Sequence, residues 1–188
     1  ETEATTTTQA ELVAEVAVVQ NDSVQRIELQ NNFGSFADLV QAREANEVSL
    51  ENEVLSFVFS TKGGQMTLAH LKGYTNYLGE PLNLVANNQD INFSFTTLDG
   101  RTLNTADLYF TPELTEANGQ NVLMLKAALN QNQWVAFRYA LSPNDFMVDF
   151  SIRSSGMQGV INQNIDQNLS WDLKAFRNSR SVEYENRY

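Results

Sequence analysis

The feature that most limits the fold of this chain is a pair of neighbouring stretches in which apolar and polar residues alternate. Gln133–Leu141 and Phe146–Arg153 carry apolar side chains at every second position, and the polar segment Ser142–Asp145 separates them. A period of two is typical of a β-strand with one buried face, and a cluster of Ser, Pro, Asn and Asp is typical of a turn. The two stretches are therefore predicted to form an antiparallel hairpin.

The alternation also predicts the register of this hairpin. A four-residue loop brings four apolar pairs together on one face, namely Leu141–Phe146, Tyr139–Val148, Phe137–Phe150 and Val135–Ile152. On the other face, it places Arg138 opposite Asp149 as an ion pair. It also places Trp134 opposite Arg153, where a cation–π contact can form. A slip by one residue would mix the two faces, so the pattern fixes this register.

The strand before this hairpin is predicted over Val122–Leu129. A three-residue loop, Asn130–Asn132, continues the same apolar face and sets Leu123, Leu125 and Ala127 beside Tyr139, Phe137 and Val135. This register also brings Lys126 beside Arg138, and Asp149 on the far strand offsets that repulsion.

A second hairpin is predicted within Leu50–Tyr74. The apolar runs Val54–Phe59 and Gln65–Leu71 are separated by Thr61-Lys62-Gly63-Gly64. Adjacent glycines accept positive φ without steric cost, so this segment is expected to be the turn between two paired strands. Pro81 is expected to close the loop that follows.

A third hairpin is predicted around Asp99-Gly100, a strong signal for a two-residue turn. Alternating apolar residues precede the turn at Ile91, Phe93 and Phe95. The return strand is expected over Thr102–Phe110, ended by Pro112. Two further strands are expected near the end of the chain, at Leu169–Phe176 and Ser181–Tyr188.

The first forty-odd residues lack such patterns. Glu1–Gln9 is too polar to bury a core and is expected to be disordered, and Glu11–Leu29 keeps neither a strand nor a helix period. Asn31-Asn32-Phe33-Gly34 interrupts the chain, and Ser35 is expected to cap a short helix over Phe36–Arg43. We therefore expect a partly disordered linker over residues 1–46 and one folded domain over residues 47–188.

Composition narrows the class further. The 188-residue chain has a net charge of −11, and its 12 Lys and Arg residues are scattered singly, which argues against nucleic acid or anionic lipid as a partner. It has no Cys, so disulfides and thiolate chemistry are excluded. No apolar run is long enough to span a membrane, and the chain begins at Glu1, which suggests a processed protein or a soluble piece of a longer one. About a dozen short strands favour a large antiparallel β-sandwich with one or two short helices.

Single residues give little support for catalysis or metal binding. His70 is the only histidine and shares a strand face with Met66 and Leu68, so a structural or surface role is favoured. Lys62-Gly63-Gly64 lacks the spacing of a phosphate loop and is interpreted as a turn. No Gly-x-Ser-x-Gly motif is present for a serine nucleophile.

The acidic and amide residues give no clear site either. Oxygen ligands alternate at Asn162, Asn164, Asp166 and Asn168, but the glycine of a calcium loop is missing and Leu173 occupies the twelfth position, so a polar loop is favoured. Carboxylates occur at Glu51, Glu53, Asp107, Asp145 and Asp149, and no pair among them is singled out. The sequence predicts no catalytic residue, no metal site and no cofactor.

Several blocks of the sequence resemble a known family. Leu50-Glu51-Asn52-Glu53-Val54-Leu55, Phe59-Ser60-Thr61-Lys62-Gly63-Gly64-Gln65 and Leu71-Lys72-Gly73-Tyr74 are similar to the first block of the periplasmic domain of the membrane protein insertase YidC, in its Bacteroidetes form. Later blocks follow in the same order at Asp99-Gly100-Arg101, Asp107–Pro112, Met147–Phe150, Ile152-Arg153 and Glu183–Tyr188. The resemblance covers about Val48–Tyr188 and depends on order and spacing more than on any single motif.

The resemblance implies a β-supersandwich similar to galactose mutarotase, placed between the first two transmembrane helices of a bacterial inner-membrane protein. It implies an accessory, non-catalytic and monomeric periplasmic module, in contact with the Sec translocon and with nascent membrane proteins. Insertion itself and the membrane anchoring would belong to helices outside this chain. Such a protein acts in protein transport as an insertase and chaperone.

Two alternatives remain open at this point. A sandwich of this kind can bind carbohydrate, and an aromatic residue such as Trp134 would suit that role. A secreted surface sandwich or adhesin would suit the Thr- and Asn-rich composition.

Overall fold

The computed structural model of the chain describes residues 23–41, 43–181 and 183. The chain divides into two compact units, Glu1–Gln41 and Ala42–Tyr188. In the first unit, residues 23–33 form helix α1, and a 3₁₀ turn at Gly34–Phe36 leads into helix α2 (Ala37–Val40). The predicted disordered tail over residues 1–9 lies outside the described residues.

The helix predicted over Phe36–Arg43 is shorter than expected and has a different cap. Phe36 is its N-cap, not Ser35, and no side chain accepts a capping hydrogen bond. The chain enters this helix from the 3₁₀ turn, so Ser35 already has turn geometry. Gln41 ends the helix with an extended ψ of 127°.

Helix α1 was not expected from the sequence. Its apolar residues Val24 and Ile27 are exposed, and most of its other side chains are exposed as well. A helix that buries little of its surface has no continuous apolar stripe, and that stripe is the main signal of a helix in a sequence.

The described residues of the second unit form eleven strands in three antiparallel sheets. The first sheet contains β1 (Glu47–Glu51), β2 (Leu55–Ser60), β3 (Met66–Thr75) and β4 (Pro81–Ala86), in that order. The second contains β7 (Thr111–Ala117), β8 (Gln120–Ala128), β9 (Trp134–Leu141) and β10 (Val148–Ser155), in the order β10-β9-β8-β7. The third contains β5 (Gln89–Thr96), β6 (Thr102–Asn104) and β11 (Asn168–Leu173), in the order β11-β5-β6. The predicted all-β antiparallel sandwich is confirmed.

Buried aromatic rings join the first sheet to the second. Phe59 of β2 packs against Tyr139 of β9, with ring centroids 4.5 Å apart, and Tyr139 packs against Phe150 of β10 at 5.0 Å. Burial raises the pKa of the Tyr139 phenol well above its usual value, so the ring stays neutral. These contacts form the centre of the hydrophobic core.

The predicted hairpin around Gly63 and Gly64 is confirmed, and its turn reaches into the core. Both glycines have positive φ, +72° and +63°. The N–H of Gly63 donates to the carbonyl of Leu108 at 2.8 Å, and the Lys62 ammonium lies 4.5 Å from the centre of the Tyr109 ring. A Cβ on Gly64 would lie only 2.9 Å from the Phe137 ring. The glycine is therefore required by packing as well as by backbone geometry.

The register between β8 and β9 is confirmed, with Leu123, Leu125 and Ala127 opposite Tyr139, Phe137 and Val135. Lys126 itself lies opposite Ala136 and Arg138 opposite Met124. The Lys126 ammonium pairs with the carboxylate of Glu113 on β7 at 2.7 Å. The charge of Lys126 is therefore compensated by Glu113, not by Asp149 as predicted.

The predicted register between β9 and β10 is wrong by two residues. Val148 lies opposite Leu141 and Phe150 opposite Tyr139, because the loop holds the six residues 142–147 instead of four. A shift of two keeps the same side chains on the apolar face. The cross-strand pairs change, however. Arg138 lies opposite Ser151, and Asp149 opposite Ala140, so the predicted Arg138–Asp149 pair is not a cross-strand pair.

The predicted Trp134–Arg153 contact is also wrong, since Ser155 lies opposite Trp134 and Arg153 lies opposite Ala136. The cation over the Trp134 ring is Lys126, 5.3 Å from the ring centre. The two-residue shift in the β9–β10 register moves Arg153 away from Trp134, while Lys126 reaches the ring from β8.

Asn52 explains the longer loop. Its side-chain N–H groups donate to the carbonyls of Ser142 and Asp145 at 2.7 and 2.8 Å, while its side-chain oxygen accepts from the N–H groups of Val54 and Leu55. The side chain is buried and joins the β1–β2 turn to the loop at residues 142–147. Sequence patterns could not show this, because the partners are some 90 residues away.

The clamped loop holds apolar side chains in solvent. Phe146 and Met147 are exposed, and the Phe146 ring meets the exposed ring of Tyr74 edge-on at 6.4 Å. We call these three residues the loop patch.

The third predicted hairpin is present, but its turn holds the three residues 98–100 instead of two, since Thr96 lies opposite Thr102 and the N–H of Thr97 donates to the Arg101 carbonyl at 2.8 Å. Its return strand is also shorter than predicted. The N–H of Gly100 donates to the Thr97 carbonyl, and Asp99 accepts from the Thr97 hydroxyl, which lowers the pKa of the Asp99 carboxyl. The return strand ends at Asn104 instead of Phe110, because a 3₁₀ turn follows at Thr105–Asp107 and the Thr105 hydroxyl takes over the N–H of Phe93.

Two prolines lie within strands that the sequence did not predict. Pro112 is part of β7 and Pro81 begins β4, instead of ending or preceding strands. Both strands are at the edges of their sheets, where a residue without an N–H is tolerated. Near the C-terminus, β11 ends at Leu173 instead of Phe176, and the strand predicted over residues 181–188 lies almost entirely outside the described residues.

Replacing Gly64 by Ala should lower the free energy of unfolding by about 2–4 kcal/mol, since the substitution combines an unfavourable positive φ with a clash against Phe137. The matched control is Gly79→Ala, which has the same kind of φ, +82°, but open space around it. That control should lose only about 1 kcal/mol. Urea denaturation measures both, and equal losses would mean that the Phe137 contact has no cost.

Replacing Asn52 by Ala should lower the free energy of unfolding by about 2–3 kcal/mol, because two partly buried carbonyls and the N–H groups of Val54 and Leu55, the latter buried, lose their partner. Asn121 is the control, since its exposed side chain donates only to the carbonyl of Glu51. Asn121→Ala should cost about 0.5 kcal/mol or less. A loss for Asn52→Ala no larger than the control's would contradict the role of the clamp.

Candidate functional site: an apolar cleft and the exposed face of β11

A cleft of about 240 Å³ lies beside β10 and β5. Its apolar floor is formed by the buried side chains of Phe93, Val135, Met157 and Ile161. Its rim is polar, with Arg153, Gln163 and Gln167. Pockets for drug-sized molecules usually hold about 300–1,000 Å³, so this cleft suits one or two side chains or a single small ring.

The wall of the cleft is fixed by a short turn after β10. Gly156 begins it with φ +62°, where a Cβ would collide with the carbonyl of Asn132. The carbonyl of Met157 then accepts from the N–H groups of both Val160 and Ile161, at 3.0 and 2.8 Å. This turn points Met157 into the core and brings the following segment back to the third sheet.

That segment is fastened to the end of β5. The N–H of Leu98 donates to the Val160 carbonyl at 2.9 Å, and the N–H of Asn162 donates to the Thr96 carbonyl at 2.8 Å. Residues 163–167 then leave the sheet as a loop beside the cleft before β11 begins. The Asn- and Gln-rich part of the sequence thus forms the polar rim.

The apolar floor continues onto β11. Leu169 lies opposite Phe93, and Trp171 lies opposite Ile91, so these side chains share the core-facing side of the sheet. The β5 side chains of Ile91 and Phe93 are buried, whereas those of the β11 residues are exposed. Leu169 is 46% exposed, Trp171 63% and Leu173 52%. We call these three residues the apolar face of β11.

Trp171 is held in a defined orientation. Its indole N–H donates to the side-chain oxygen of Gln89 at 3.0 Å. Because the polar atom of the indole already has a partner within the protein, the exposed ring can contact an apolar group without leaving that N–H unsatisfied.

The opposite side of β11 is acidic. Asp172 lies directly opposite Asp90 in the antiparallel pair. Like charges in this position repel each other. The pair lies beside an open hollow that Asn87, Asn88 and Lys174 also line.

The residues considered from the sequence do not meet in this site. His70 lies on β3, and its Nδ1 is 3.1 Å from the side-chain oxygen of Asn83. Lys62 donates to the carbonyl of Asp107, and Glu51 pairs with Lys72 at 2.8 Å. In the ranges that the structure describes, no three His, Asp or Glu side chains are placed to hold a metal ion.

The remaining candidates are also in separate places. Asp149 accepts from Gln120, Asp145 accepts from the N–H of Met147, and Glu53 lines a shallow hollow with Pro143. Asn162, Asn164 and Asp166 lie in the loop beside the cleft, and Asn168 begins β11.

The apolar face of β11 was not identified from the sequence. The alternation of Leu169, Trp171 and Leu173 with Ser170 and Asp172 was visible and suggested a strand. It could not indicate that these side chains would be exposed, because exposure depends on contacts with residues distant in the sequence.

The fold and this surface define a β-sandwich domain with exposed apolar side chains on an edge strand. No helix within residues 23–41 and 43–181 is long and apolar enough to cross a membrane.

A protein-family model described as the YidC periplasmic domain matches residues 47–187. The chain is 33% identical over 169 residues to the membrane protein insertase YidC of Parabacteroides distasonis, an alignment that covers 89% of this chain and 26% of that protein. It is 34% identical over 142 residues to the protein of the same name from Phocaeicola vulgatus, covering 74% of this chain and 22% of that protein. The relative from Azobacteroides pseudotrichonymphae is 29% identical over 170 residues, covering 89% and 27%. The chain belongs to the YidC periplasmic domain family.

The chain spans about a quarter of the length of these relatives. Membership in the family places it in the periplasm, as a domain of a bacterial inner-membrane protein. No solved structure matches the chain significantly.

Proposed function

We propose that this chain is the accessory periplasmic domain of an inner-membrane insertase and chaperone, which inserts and folds membrane proteins alone or with the Sec translocon. The observation that carries the proposal is the match of residues 47–187 to the YidC periplasmic domain. The relatives, which are named membrane protein insertases, favour this function over the carbohydrate-binding and adhesin alternatives.

The domain acts by binding and positioning, without a catalytic step. The arrangement of the described side chains supports this, because His70 contacts an amide and Glu51 is paired with Lys72. A general base or nucleophile needs an activating partner, and these contacts provide none. No cofactor or metal is part of the proposal.

The partners are segments of membrane proteins on their way into the membrane and subunits of the translocon. The cleft and the apolar face of β11 offer adjoining apolar surface for such contacts. The net charge of −11 makes nucleic acid or an anionic bilayer an unfavourable partner. In this proposal, residues 1–46 act as a linker, and transmembrane helices outside this chain hold the monomeric domain at the membrane.

Site-specific photo-crosslinking in the intact membrane protein, expressed in a Bacteroidetes host, tests the proposal. A crosslinking amino acid at Gln167, on the exposed rim of the cleft, should capture newly made membrane proteins or translocon subunits. Asn118, exposed in the β7–β8 turn, is the control position and should give weaker or no adducts.

Mass spectrometry identifies the captured proteins. Adducts made only of soluble periplasmic proteins, or identical adducts at the two positions, would contradict the proposed function. Fractionation on the same cells checks that both variants are in the inner membrane at equal amounts.

A further inference from the structure

Among the strands that the structure describes, β11 has a neighbour on one side only. In its sheet, β11 pairs with β5 and stands at the edge, and no strand among the described residues lies beyond it. An edge strand offers a row of N–H and C=O groups to which another extended segment can bind. β11 holds six residues, Asn168–Leu173, enough for a short added strand.

The side chains of β11 define what kind of segment fits this edge. Residues of an added strand lie directly beside their partners on the same side of the sheet, with Cβ atoms about 4.5–5.5 Å apart. Alternate residues would therefore contact the apolar face of β11, where Leu169, Trp171 and Leu173 are each about half exposed. Apolar side chains at these positions would bury surface that is now in water.

The residues between them would lie beside Asp172. Its partner on β5 is Asp90, so two acidic residues lie side by side on this side of the strand pair, and Lys174 is the basic residue that lines the same hollow. A Lys or Arg from the added strand would relieve this repulsion, whereas an acidic residue would increase it.

We propose that the edge of β11 binds an extended polypeptide segment as an added strand, with apolar side chains on one face and a basic side chain on the other. The proposal deepens the proposed function and rests on it for the source of the segment, a translocated stretch of a protein that is being inserted. The bound segment adds a fourth strand to the three-stranded sheet, and its apolar side chains lie beside those of Leu169, Trp171 and Leu173 and remove part of their surface from water.

The same charges disfavour a second copy of this chain as the occupant. Pairing of two β11 strands would place an Asp172 on each of the two paired strands, between molecules that each have a net charge of −11. Like charges at that distance oppose association.

The chain contains its own reporter for this site. Only two tryptophans are present, and Trp134 lies on β9 in another sheet. In a Trp134→Phe variant, all tryptophan fluorescence comes from Trp171. A short peptide in which Val and Lys alternate should shift its emission to shorter wavelength, with saturation, because the ring leaves water.

Three peptide controls separate strand addition from simple adhesion. A peptide of the same composition with a scrambled order should bind at least about tenfold more weakly, since it cannot keep its apolar residues on one face. Replacing Lys by Glu should have a similar effect. Methylation of every second backbone nitrogen, in one of the two possible phases, should weaken binding by about tenfold or more, because it removes the hydrogen bonds to β11.

Variants of the protein locate the contact. Leu173→Lys should weaken binding of the Val–Lys peptide by about tenfold, and Asp172→Asn by about threefold. Leu114→Lys is the matched control, since Leu114 is an exposed leucine on another edge strand, β7, and should leave the affinity unchanged. Circular dichroism confirms that each variant is folded.

Several results would overturn the proposal. Equal affinity for the scrambled peptide, no effect of either methylation phase, or an equal loss from Leu114→Lys would each show that the peptide does not add to β11. A concentration-dependent shift of Trp171 without peptide would indicate a second copy at this edge. A site that becomes available only after removal of residues 182–188 would indicate that the chain's own C-terminal segment occupies it.

The two proposals can fail separately. Crosslinks from Gln167 to membrane proteins, without peptide binding at β11, would support the insertase function and contradict the binding of a strand at β11. Peptide binding with the expected pattern, without such crosslinks, would support the binding site at β11 and contradict the insertase function.

Discussion

The contact between a glycine turn and an aromatic ring determines how the sheets of this domain pack. Gly64 has no side chain, and this lets the turn between β2 and β3 approach the Phe137 ring on β9. Phe110 stacks on the other part of that ring at 5.3 Å, and Phe59 and Tyr139 continue the aromatic layer. A larger residue at position 64 would press against this ring, so the close approach of the turn to β9 depends on the glycine.

Much of this arrangement could be predicted from the sequence because the information is local. The alternation of apolar residues identifies strands and their faces, and adjacent glycines identify a turn. The position of Leu123, Leu125 and Ala127 beside β9 followed from these rules alone. The β9–β10 pairing did not, since a register shifted by two residues buries the same side chains and local patterns cannot distinguish the two.

Distant contacts decide such cases. Asn52 lengthens the β9–β10 loop from another part of the chain, and Thr105 ends the return strand after Asp99-Gly100 by taking a backbone N–H of β5. The candidate site has the same origin. Its residues were recognisable as strand and polar loop, but the exposure of Leu169, Trp171 and Leu173 depends on contacts with distant parts of the chain. A sequence shows which side of a strand is apolar, but not whether another layer covers it.

The clamp at Asn52 also has a consequence for the behaviour of the domain in solution. Asn52 holds the loop at residues 142–147, and the loop patch of Tyr74, Phe146 and Met147 is exposed to water, where it can drive association between molecules. At neutral pH, repulsion between molecules with a net charge of −11 opposes association through this patch. That repulsion disappears as the pH approaches the isoelectric point near 4.4. The acidic surface therefore keeps the domain from associating at neutral pH, and the exposed loop patch makes association more favourable once that charge is lost.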